Sequence, residues 1–467
     1  MCLETLWSPS SPVLGDTLSY KMVHEVQYSG LSIFITGTSF AWSTPLLPQL
    51  KREDSEFHMT ADEGSWLISL IEIGCLLPCV PAGFLADRFG RKTCLLYGTP
   101  LYIGTWLLVL WWRTVPALYV MRFVQGITMA INYAILPIYL TEIATASRRG
   151  AIANFFSIMW YLGFLYEYVL GAFFEYDGLT WFSLEPPVVF MIAFSFCPES
   201  PYFLLMRNRR YEASKTFAWL ESKSLEEIEP ELIAIEKSIL QEKEEKGSWK
   251  DVTATSAGRK ALGIIIMMSI IFVMCGLSTI MSYIAEIFGT LSGNQEAGNL
   301  LTILAGVVVL LATMASGFLS DRLGRRPIII YFGQLSVISL AVTGTFYYLE
   351  EKTLFDLRSY VWVPYVSIVT LLIAAPIAVG VMQALTGELF SNSSRGFASG
   401  IYTLSCTIFN GMSLKLYQTI GDNVGYYADY LGFSLCTLLG VMYTFVYLPE
   451  TKGKTFQEIQ LILLNKN

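Results

Sequence analysis

The sequence is poor in charge and in histidine. Only 15% of its 467 residues are charged, against roughly 25% in a typical soluble domain, and its two histidines are His24 and His58. Hydrophobic residues make up 54% of the chain, and the mean hydropathy is +0.50. This balance argues against a soluble domain and indicates a membrane protein. The net charge of -7 argues against a nucleic-acid partner.

Motifs of enzymes and of metal sites are also missing. The chain has no HExxH, no GxSxG and no histidine cluster, so no catalytic centre is visible and we expect no enzyme. It has no GxxxxGK[ST] loop, which disfavours a process driven by ATP. The eight cysteines show no CxxC or metal spacing, so we expect packing roles and no cofactor. The first two dozen residues lack the pattern of a cleaved signal peptide.

Apolar runs that are long enough to cross a bilayer, about 20 residues, are what the sequence does contain. Six precede and six follow a long polar segment: 26–48, 64–86, 93–112, 115–140, 151–174 and 179–197, then 261–285, 299–320, 327–349, 360–387, 397–418 and 426–448. We therefore predict an all-α polytopic membrane protein with about 12 transmembrane helices in two six-helix halves. The predicted segments are a tail (1–25), a bundle (26–197), a linker with short helices (198–259), a second bundle (260–448) and a tail (449–467).

The linker and the basic residues predict the orientation. The linker is predicted to end in a surface helix that starts at Pro230, a residue favoured in the first helical turn, with Leu232, Ile235 and Ile239 at helical spacing. On these boundaries most of the 31 Lys and Arg residues lie on the side that holds both tails and the linker. Positive charge is retained on the cytoplasmic side. We therefore expect both termini and the linker to be cytoplasmic.

A short charged motif occurs twice in the sequence. "LADRFGRK" (85–92) follows the second span of the first half, and "LSDRLGRR" (319–326) follows the second span of the other half. Matched copies at matched positions predict parallel repeats, which are typical of proteins that rock two bundles around a central site. Gly83 and Gly317 stand four residues before the aspartates and predict a close approach of a neighbouring helix.

Several longer motifs resemble the sugar porter family of the major facilitator superfamily, over about residues 26–459. Besides the two turns, they are "PIYLTEIATASRRG" (137–150), "GELFSNSSRG" (387–396), "CPESPYFLL" (197–205) and "LPETKGKTFQEI" (448–459). "DEGSW" (62–66) resembles the insect trehalose-facilitator branch. The resemblance implies the major facilitator fold, no cofactor and a location in the cell membrane.

The resemblance also implies a cytoplasmic gate of ion pairs that closes when the carrier faces outward. The implied gate residues are Asp87, Arg88, Arg91, Glu142, Arg148, Arg149, Glu199, Asp321, Arg322, Arg325, Glu388, Arg395 and Glu450. Opposed carboxylates and guanidiniums at helix ends form bidentate pairs that can separate on rocking. Tyr202 departs from the family, which has Arg there, and so removes one cation from the gate.

The family's sugar contacts are mostly replaced in this chain. The positions that the resemblance assigns to Gln and Asn in the seventh span hold Phe272, Val273 and Ser278, and the eighth-span Asn falls on Val309. An unpaired polar group in a dry site costs about 1–3 kcal/mol, so sugar hydroxyls need partners. The candidate substrate-binding residues that remain are Ser157, Glu167, Ser278, Tyr283, Gln383 and Thr407.

Ionisable residues within the spans add a second set of candidates. Glu72, Glu167 and Arg122 lie inside spans, where such residues are costly and face a cavity or a partner. Two readings stay open, namely substrate or ion contact and a structural pairing such as a Glu with Arg122. Residues 26–48 contain no acid, whereas proton-coupled sugar porters carry one in the first span.

We therefore expect a facilitative carrier of a sugar, either a hexose or trehalose, that works by alternating access as a uniporter. A sugar sensor that does not transport is one alternative, and a carrier of a less polar organic solute is another. The expected partners are a small sugar and the lipid bilayer. The sequence does not determine the oligomeric state.

Overall fold

The structure is a computed structural model that describes residues 20–52, 55, 57–79, 81–143, 149–244, 256–353, 357–390, 392–452, 454, 458–459 and 461–462. In these residues the chain forms α-helices and one 3-10 helix (Arg358–Tyr360), without a β-strand. The first half contains α1 (Tyr20–Ala41), α2 (Ser43–Leu50), α3 (Ala61–Leu76), α4 (Pro81–Phe89), α5 (Arg91–Trp111), α6 (Val115–Ile143), α7 (Arg149–Phe173) and α8 (Tyr176–Ser195). The linker contains α9 (Pro201–Met206), α10 (Arg210–Glu221) and α11 (Leu225–Glu244). The second half contains α12 (Ser256–Met274), α13 (Leu277–Ser292), α14 (Gln295–Leu323), α15 (Arg325–Lys352), α16 (Trp362–Glu388), α17 (Asn392–Asn423) and α18 (Tyr426–Tyr447).

The helices occupy the predicted spans. In the described part of the chain, nine helical segments are long and apolar enough to cross a membrane, with α12 and α13 counted together, and the bent pair of α3 and α4 makes a tenth. The other two predicted spans coincide with α1 plus α2 and with α17. The prediction of an all-α membrane fold with about 12 spans is confirmed.

Three of the spans are broken, although each was predicted as one apolar run. The first is divided at Trp42, and the second bends by 57° between α3 and α4. Pro81 opens α4, and proline cannot donate the hydrogen bond that would continue the preceding helix. The seventh span breaks at Gly276, whose φ of +73° is the left-handed region that favours glycine. A Cβ at Gly276 would also lie 2.8 Å from the Phe433 ring.

The two halves repeat the same helix pairings. In the first half α1 packs on α7, α3 on α6, α5 on α6, and α5 on α8. In the second half the equivalent pairs are α12 with α17, α14 with α16, α15 with α16, and α15 with α18. Each half therefore has its own interior, and the duplicated turn corresponds to a duplicated bundle.

The main helix pairs that join the halves are α2 with α13, α3 with α17, and α7 with α14. One apolar cluster crosses this boundary. It includes Phe40, Ile71 and Tyr168 of the first half, and Ile280 and Leu371 of the second. The halves are thus joined through packed side chains as well as through polar contacts.

The linker helix α11 begins at Leu225, so the predicted start at Pro230 is wrong by five residues. Ser224 and Glu227 form a capping box, in which the Ser224 hydroxyl accepts from the Glu227 N–H and the Glu227 carboxylate accepts from the Ser224 N–H. This cap sets the helix start, and Pro230 lies within the helix. Leu232 and Ile239 are buried on the linker's own apolar cluster.

Candidate functional site

We call the face of the bundle that carries α9–α11 and the two charged turns the linker face, and the opposite end the far face. The first charged turn is held by a carboxylate. Gly90, between α4 and α5, has φ +103°. The Glu199 carboxylate accepts hydrogen bonds from the N–H groups of Arg91 and Lys92, both at 3.0 Å. A carboxylate at a helix N-terminus is favoured by the helix dipole and by the free N–H groups there.

The second charged turn has the same construction. Gly324 has φ +90°, and Glu450 accepts from the N–H groups of Arg325 and Arg326, both at 3.0 Å. Burial raises the pKa of Glu450, but hydrogen bonds from the Lys452, Arg325 and Arg326 backbones outweigh burial, so its pKa lies below the ordinary value. Glu199 and Glu450 thus reach the motif through backbone N–H groups, a role that sequence reasoning did not predict.

Three further side-chain contacts occur in both turns, each a cation that donates to a backbone carbonyl. In the first, the Arg91 guanidinium donates to the Ala86 carbonyl at 3.1 Å, and the Arg325 guanidinium donates to the Ser320 carbonyl at 3.2 Å. The second is Lys92 to Ser195 at 2.8 Å, and Arg326 to Phe445. The third is Arg207 to Arg88, and Lys452 to Arg322 at 2.8 Å. The two turns therefore share their individual hydrogen bonds as well as their sequence motif.

Arg91 also forms an ion-pair cluster within the first half. Its guanidinium lies 2.9 Å from Glu142 Oε1 and 3.1 Å from Asp87 Oδ1, and the Ser200 hydroxyl donates to Glu142. Arg91 is 4% exposed and the Glu142 side chain 10% exposed. This cluster ties α4, α5, α6 and α9 together on one side of the boundary between the halves.

The other predicted gate residues divide into two groups. Arg88 lies over the Phe89 ring at 5.4 Å, and Arg322 lies over the Phe318 ring at 4.1 Å. Arg148, and the side chains of Arg149, Asp321, Glu388 and Arg395, lie outside the described residues.

The two glycines that precede the aspartates of the turns behave differently. A Cβ at Gly317 would lie 2.7 Å from Asn154 Nδ2 on α7, as predicted for a close helix contact. At Gly83 nothing lies within 4 Å, so the predicted close approach there is wrong. The reason is the bend before α4, which packs on α5 and α6 of its own half and leaves Phe84 73% exposed.

On the far face, polar contacts cross between the halves. Lys51, at the end of α2, donates to both carboxylate oxygens of Glu286 on α13 at 2.8 and 2.9 Å, and to Gln418 Oε1 on α17 at 3.2 Å. Lys415 of α17 pairs with Asp62 at the start of α3 and donates to the Ser65 hydroxyl at 2.8 Å.

Deeper contacts continue the same boundary. The Asn410 amide donates to Glu72 Oε1 at 2.7 Å, and both side chains are buried. The Tyr168 hydroxyl donates to the Met281 carbonyl at 2.8 Å, close to the break between α12 and α13. The far end of the molecule is therefore closed across the halves, whereas α4 packs on α5 and α6 of the first half.

The predicted substrate-binding residues lie in different surroundings. Tyr283 is 1% exposed, donates to the Leu414 carbonyl at 3.1 Å and packs against the tilted ring of Tyr417, 4.7 Å between ring centres. The Ser183 hydroxyl donates to Glu167 at 2.9 Å, so Glu167 has a structural partner within the first half. These two residues are therefore occupied by the protein itself.

The other candidates lie on helices that contact the opposite half. Thr407 of α17 is buried. Ser157 on α7 and Ser278 at the start of α13 are partly exposed. The Gln383 side chain lies outside the described residues.

The pairing of a glutamate with Arg122, one of the two readings left open, is not a direct contact in the described residues. Arg122 is fully buried, donates to the Ser39 carbonyl and lies 5.3 Å over the Trp42 ring. Glu72 is bonded by Asn410 instead, which the sequence could not indicate because these residues are 338 positions apart.

Buried and partly buried aromatic side chains pack between the helices of both halves and were missed as a group. Tyr133 meets Trp160 at 5.2 Å between ring centres, and Phe272 of the second half meets Tyr402 at 6.2 Å. Tyr161 packs beside them on the cluster that crosses the halves. Aromatic walls with a few placed polar groups are typical of small-molecule sites, and the high aromatic content of the chain was the available signal.

Comparisons with known proteins agree with this geometry. Residues 31–463 match the family model described as "Sugar (and other) transporter". The facilitated trehalose transporter Tret1 of Anopheles gambiae is 27% identical over 93% of this chain and 55% of its own length, and the Tret1-2 homolog of Drosophila sechellia is 25% identical over 100% and 96%. The chain spans about half the length of the first of these two relatives.

Solved structures share the fold. The inward-open xylose transporter XylE of E. coli superposes with a TM-score of 0.76 at 20% identity, covering 94% of this chain and 98% of that one. The proton:xylose symporter XylE bound to 6-bromo-6-deoxy-D-glucose gives a TM-score of 0.75 at 20% identity, with 95% and 99% covered. At this identity the likeness concerns the architecture alone.

Proposed function

Because the chain belongs to the sugar (and other) transporter family, we propose that it carries a sugar across a membrane by alternating access, as a uniporter. The observation that supports this most directly is the pair of equivalent bundles, joined across the far face. Rocking of such bundles opens one face as the other closes, which carries a solute without an open pore.

The proposed cargo is a hexose or trehalose, since the curated relatives include facilitated trehalose transporters. In the proposed site, the aromatic rings of Tyr133, Trp160 and Phe272 pack against the apolar faces of the sugar. Ser157, Ser278, Thr407 and Gln383 supply polar groups for its hydroxyls. Few amides remain at the family's contact positions, so we expect binding to depend more on ring packing than on amide hydrogen bonds.

We further propose that the linker face is cytoplasmic and that the protein is in the cell membrane. The excess of Lys and Arg on that face supports this orientation. The charged turns then act as the cytoplasmic gate. In the described residues their contacts hold α4 to α5 and α14 to α15, and the remaining gate residues, Arg148, Arg149, Asp321, Glu388 and Arg395, are proposed to connect the halves when that face closes.

Uniport is supported by the first span, although the helix starts earlier than predicted. It includes Glu25, which lies near its linker-face end and accepts from the Tyr139 hydroxyl at 3.1 Å. That carboxyl lies about three helical turns from the middle of the span and is held by a side chain of its own half. It is therefore not placed to couple a proton to a sugar in the centre.

The test is uptake into proteoliposomes that contain the purified protein. Labelled glucose, fructose, trehalose and a polyol are compared, with protein-free liposomes as the control. We expect one of the sugars to equilibrate without accumulating, to show counterflow, and to be unaffected by a protonophore. Accumulation that a protonophore abolishes would overturn uniport. Specific sugar binding without uptake would support a sensor, and uptake of the least hydroxylated solute alone would support a different cargo.

A further inference from the structure

The far face carries two ion pairs that cross the boundary in opposite directions. Lys51 of the first half binds Glu286 of the second, and Lys415 of the second half binds Asp62 of the first. Each half thus supplies one cation and one carboxylate. The paired residues are 235 and 353 positions apart in the chain.

Lys415 belongs to α17, and Lys51 contacts the same helix one turn further on. Gln418, which accepts from Lys51 at 3.2 Å, lies one turn after Lys415 on α17. Gln418 is 3% exposed and donates to Asp422 at 2.8 Å, so its amide is held in place. Lys415 also lies over the Trp66 ring at 4.7 Å. Both pairs are therefore set in a fixed frame formed by α2, α3, α13 and α17.

Burial distinguishes the pairs. The side chains of Lys51 and Glu286 are 17% and 29% exposed, whereas those of Lys415 and Asp62 are 20% and 71% exposed. A pair that is partly shielded from water is screened less by salt than an exposed one. We therefore expect the Lys51–Glu286 pair to have the larger effect.

From this geometry we infer that the pairs Lys51–Glu286 and Lys415–Asp62 form an electrostatic lock that holds the far face closed. This inference rests on the proposed function. Opening the far face requires both pairs to separate, together with the deeper contact of Glu72 with Asn410. The four charged residues are positioning residues, because they act on the equilibrium between the two facing states and not on the sugar.

A population argument gives the direction of the effect. An outer ligand binds only the state that is open to the far face, so its apparent affinity is reduced by the fraction of molecules in that state. Loss of one pair is expected to raise that fraction and to lower the KM for entry from the far face by about twofold to fivefold. The KM for entry from the linker face is expected to rise.

The first experiment needs no sugar. Spin labels at Arg52 and Thr290, one from each half on the far face, report its opening by distance measurements in a variant without native cysteines. We expect K51Q and E286Q each to increase the long-distance population, and the double charge reversal K51E/E286K to restore the short one. Asp177→Asn, which removes the 2.8 Å ion pair with Arg113 inside the first half and touches neither lysine, is the matched control. Unchanged distances in K51Q and E286Q would overturn the lock.

The second experiment joins the lock to transport. In K51C/E286C, a bis-methanethiosulfonate cross-linker that bridges the two thiols is expected to abolish sugar entry from the far face, and a reductant that cleaves the bridge is expected to restore it. Full transport in the cross-linked protein would also overturn the lock. If the unmodified protein transports no sugar, the proposed function fails, whereas the distance measurements still decide the lock.

Discussion

Substituting Gly90 by alanine is expected to disrupt the linker-face turn. Gly90 has φ +103° and ψ 156°, a backbone region that is almost restricted to glycine and costs other residues about 1–3 kcal/mol. A Cβ there would lie 2.2 Å from Glu199 Oε2 and 3.1 Å from the Phe203 ring. The carboxylate would have to leave the helix N-terminus.

The lost cap adds to the backbone cost. Glu199 accepts hydrogen bonds from the Arg91 and Lys92 N–H groups, and hydrogen bonds to charged groups contribute about 1.5–3 kcal/mol each. Water replaces part of this interaction, because Glu199 is only partly buried. We expect a total loss of about 3–5 kcal/mol, seen as a lower apparent Tm of the detergent-solubilised protein.

Two glycines make this prediction sharp. Gly98 lies within α5, and a Cβ added there would meet no atom within 4 Å, so Gly98→Ala is expected to be neutral or stabilising by up to about 1 kcal/mol. Gly324→Ala should fall between the two, since the nearest Glu450 atom would be 3.0 Å from the added Cβ. If Gly90→Ala melted at the same temperature as Gly98→Ala, the capping argument for the charged turn would be refuted.

Three further outcomes are expected. Asp87→Asn, which removes the 3.1 Å ion pair with Arg91 inside the first half, should lower the apparent Tm slightly and leave the KM for entry from each face unchanged; a KM that changed for one face only would contradict this. Tyr168→Phe removes the hydrogen bond to Met281 across the halves, and at about 1 kcal/mol it should lower the KM for far-face entry by roughly fivefold; an unchanged KM would count against that contact. The pKa of Glu450 is lowered in the folded protein, so the charged carboxylate stabilises the fold at a pH above the ordinary glutamate pKa. This stabilisation is lost as the pH falls through the pKa of the folded protein. Glu450→Gln should therefore lower the apparent Tm at neutral pH but not at acidic pH.

The features of the fold that could be predicted are those that depend on neighbouring residues in the sequence. Each span is a contiguous apolar run in the sequence, so the number and positions of the spans could be predicted from the sequence. The break at Gly276 could not, because it depends on one backbone angle and on the Phe433 ring, which is 157 positions later in the chain. The start of α11 was missed for a different reason, since the Ser224–Glu227 cap outweighed the helix-start signal of Pro230.

In the candidate site, too, some residues could be predicted from the sequence, whereas their contacts could not. Arg91, Glu199 and Glu450 could be named from motifs, whereas the bonding of the two carboxylates to backbone N–H groups depends on turn geometry. Lys51 carried no local signal at all, because its partner Glu286 comes from the other half. Tyr283 shows the converse, since a family position indicated a ligand contact and the hydroxyl is bonded to the Leu414 carbonyl.

The contacts of the two faces differ in a way that bears on mechanism. At the linker face, the backbone N–H and carbonyl contacts of the charged turns are duplicated, and the cluster of Arg91 with Asp87 and Glu142 also lies within one half, so rigid-body rocking leaves these contacts intact in both facing states. At the far face, Lys51, Lys415 and Asn410 bind across the boundary, without a duplicate in the described residues. A ligand or mutation shifts an equilibrium only through contacts that differ between the two states. Changes in the turn caps should therefore alter stability in both states alike, whereas changes in the far-face contacts should alter which state is populated.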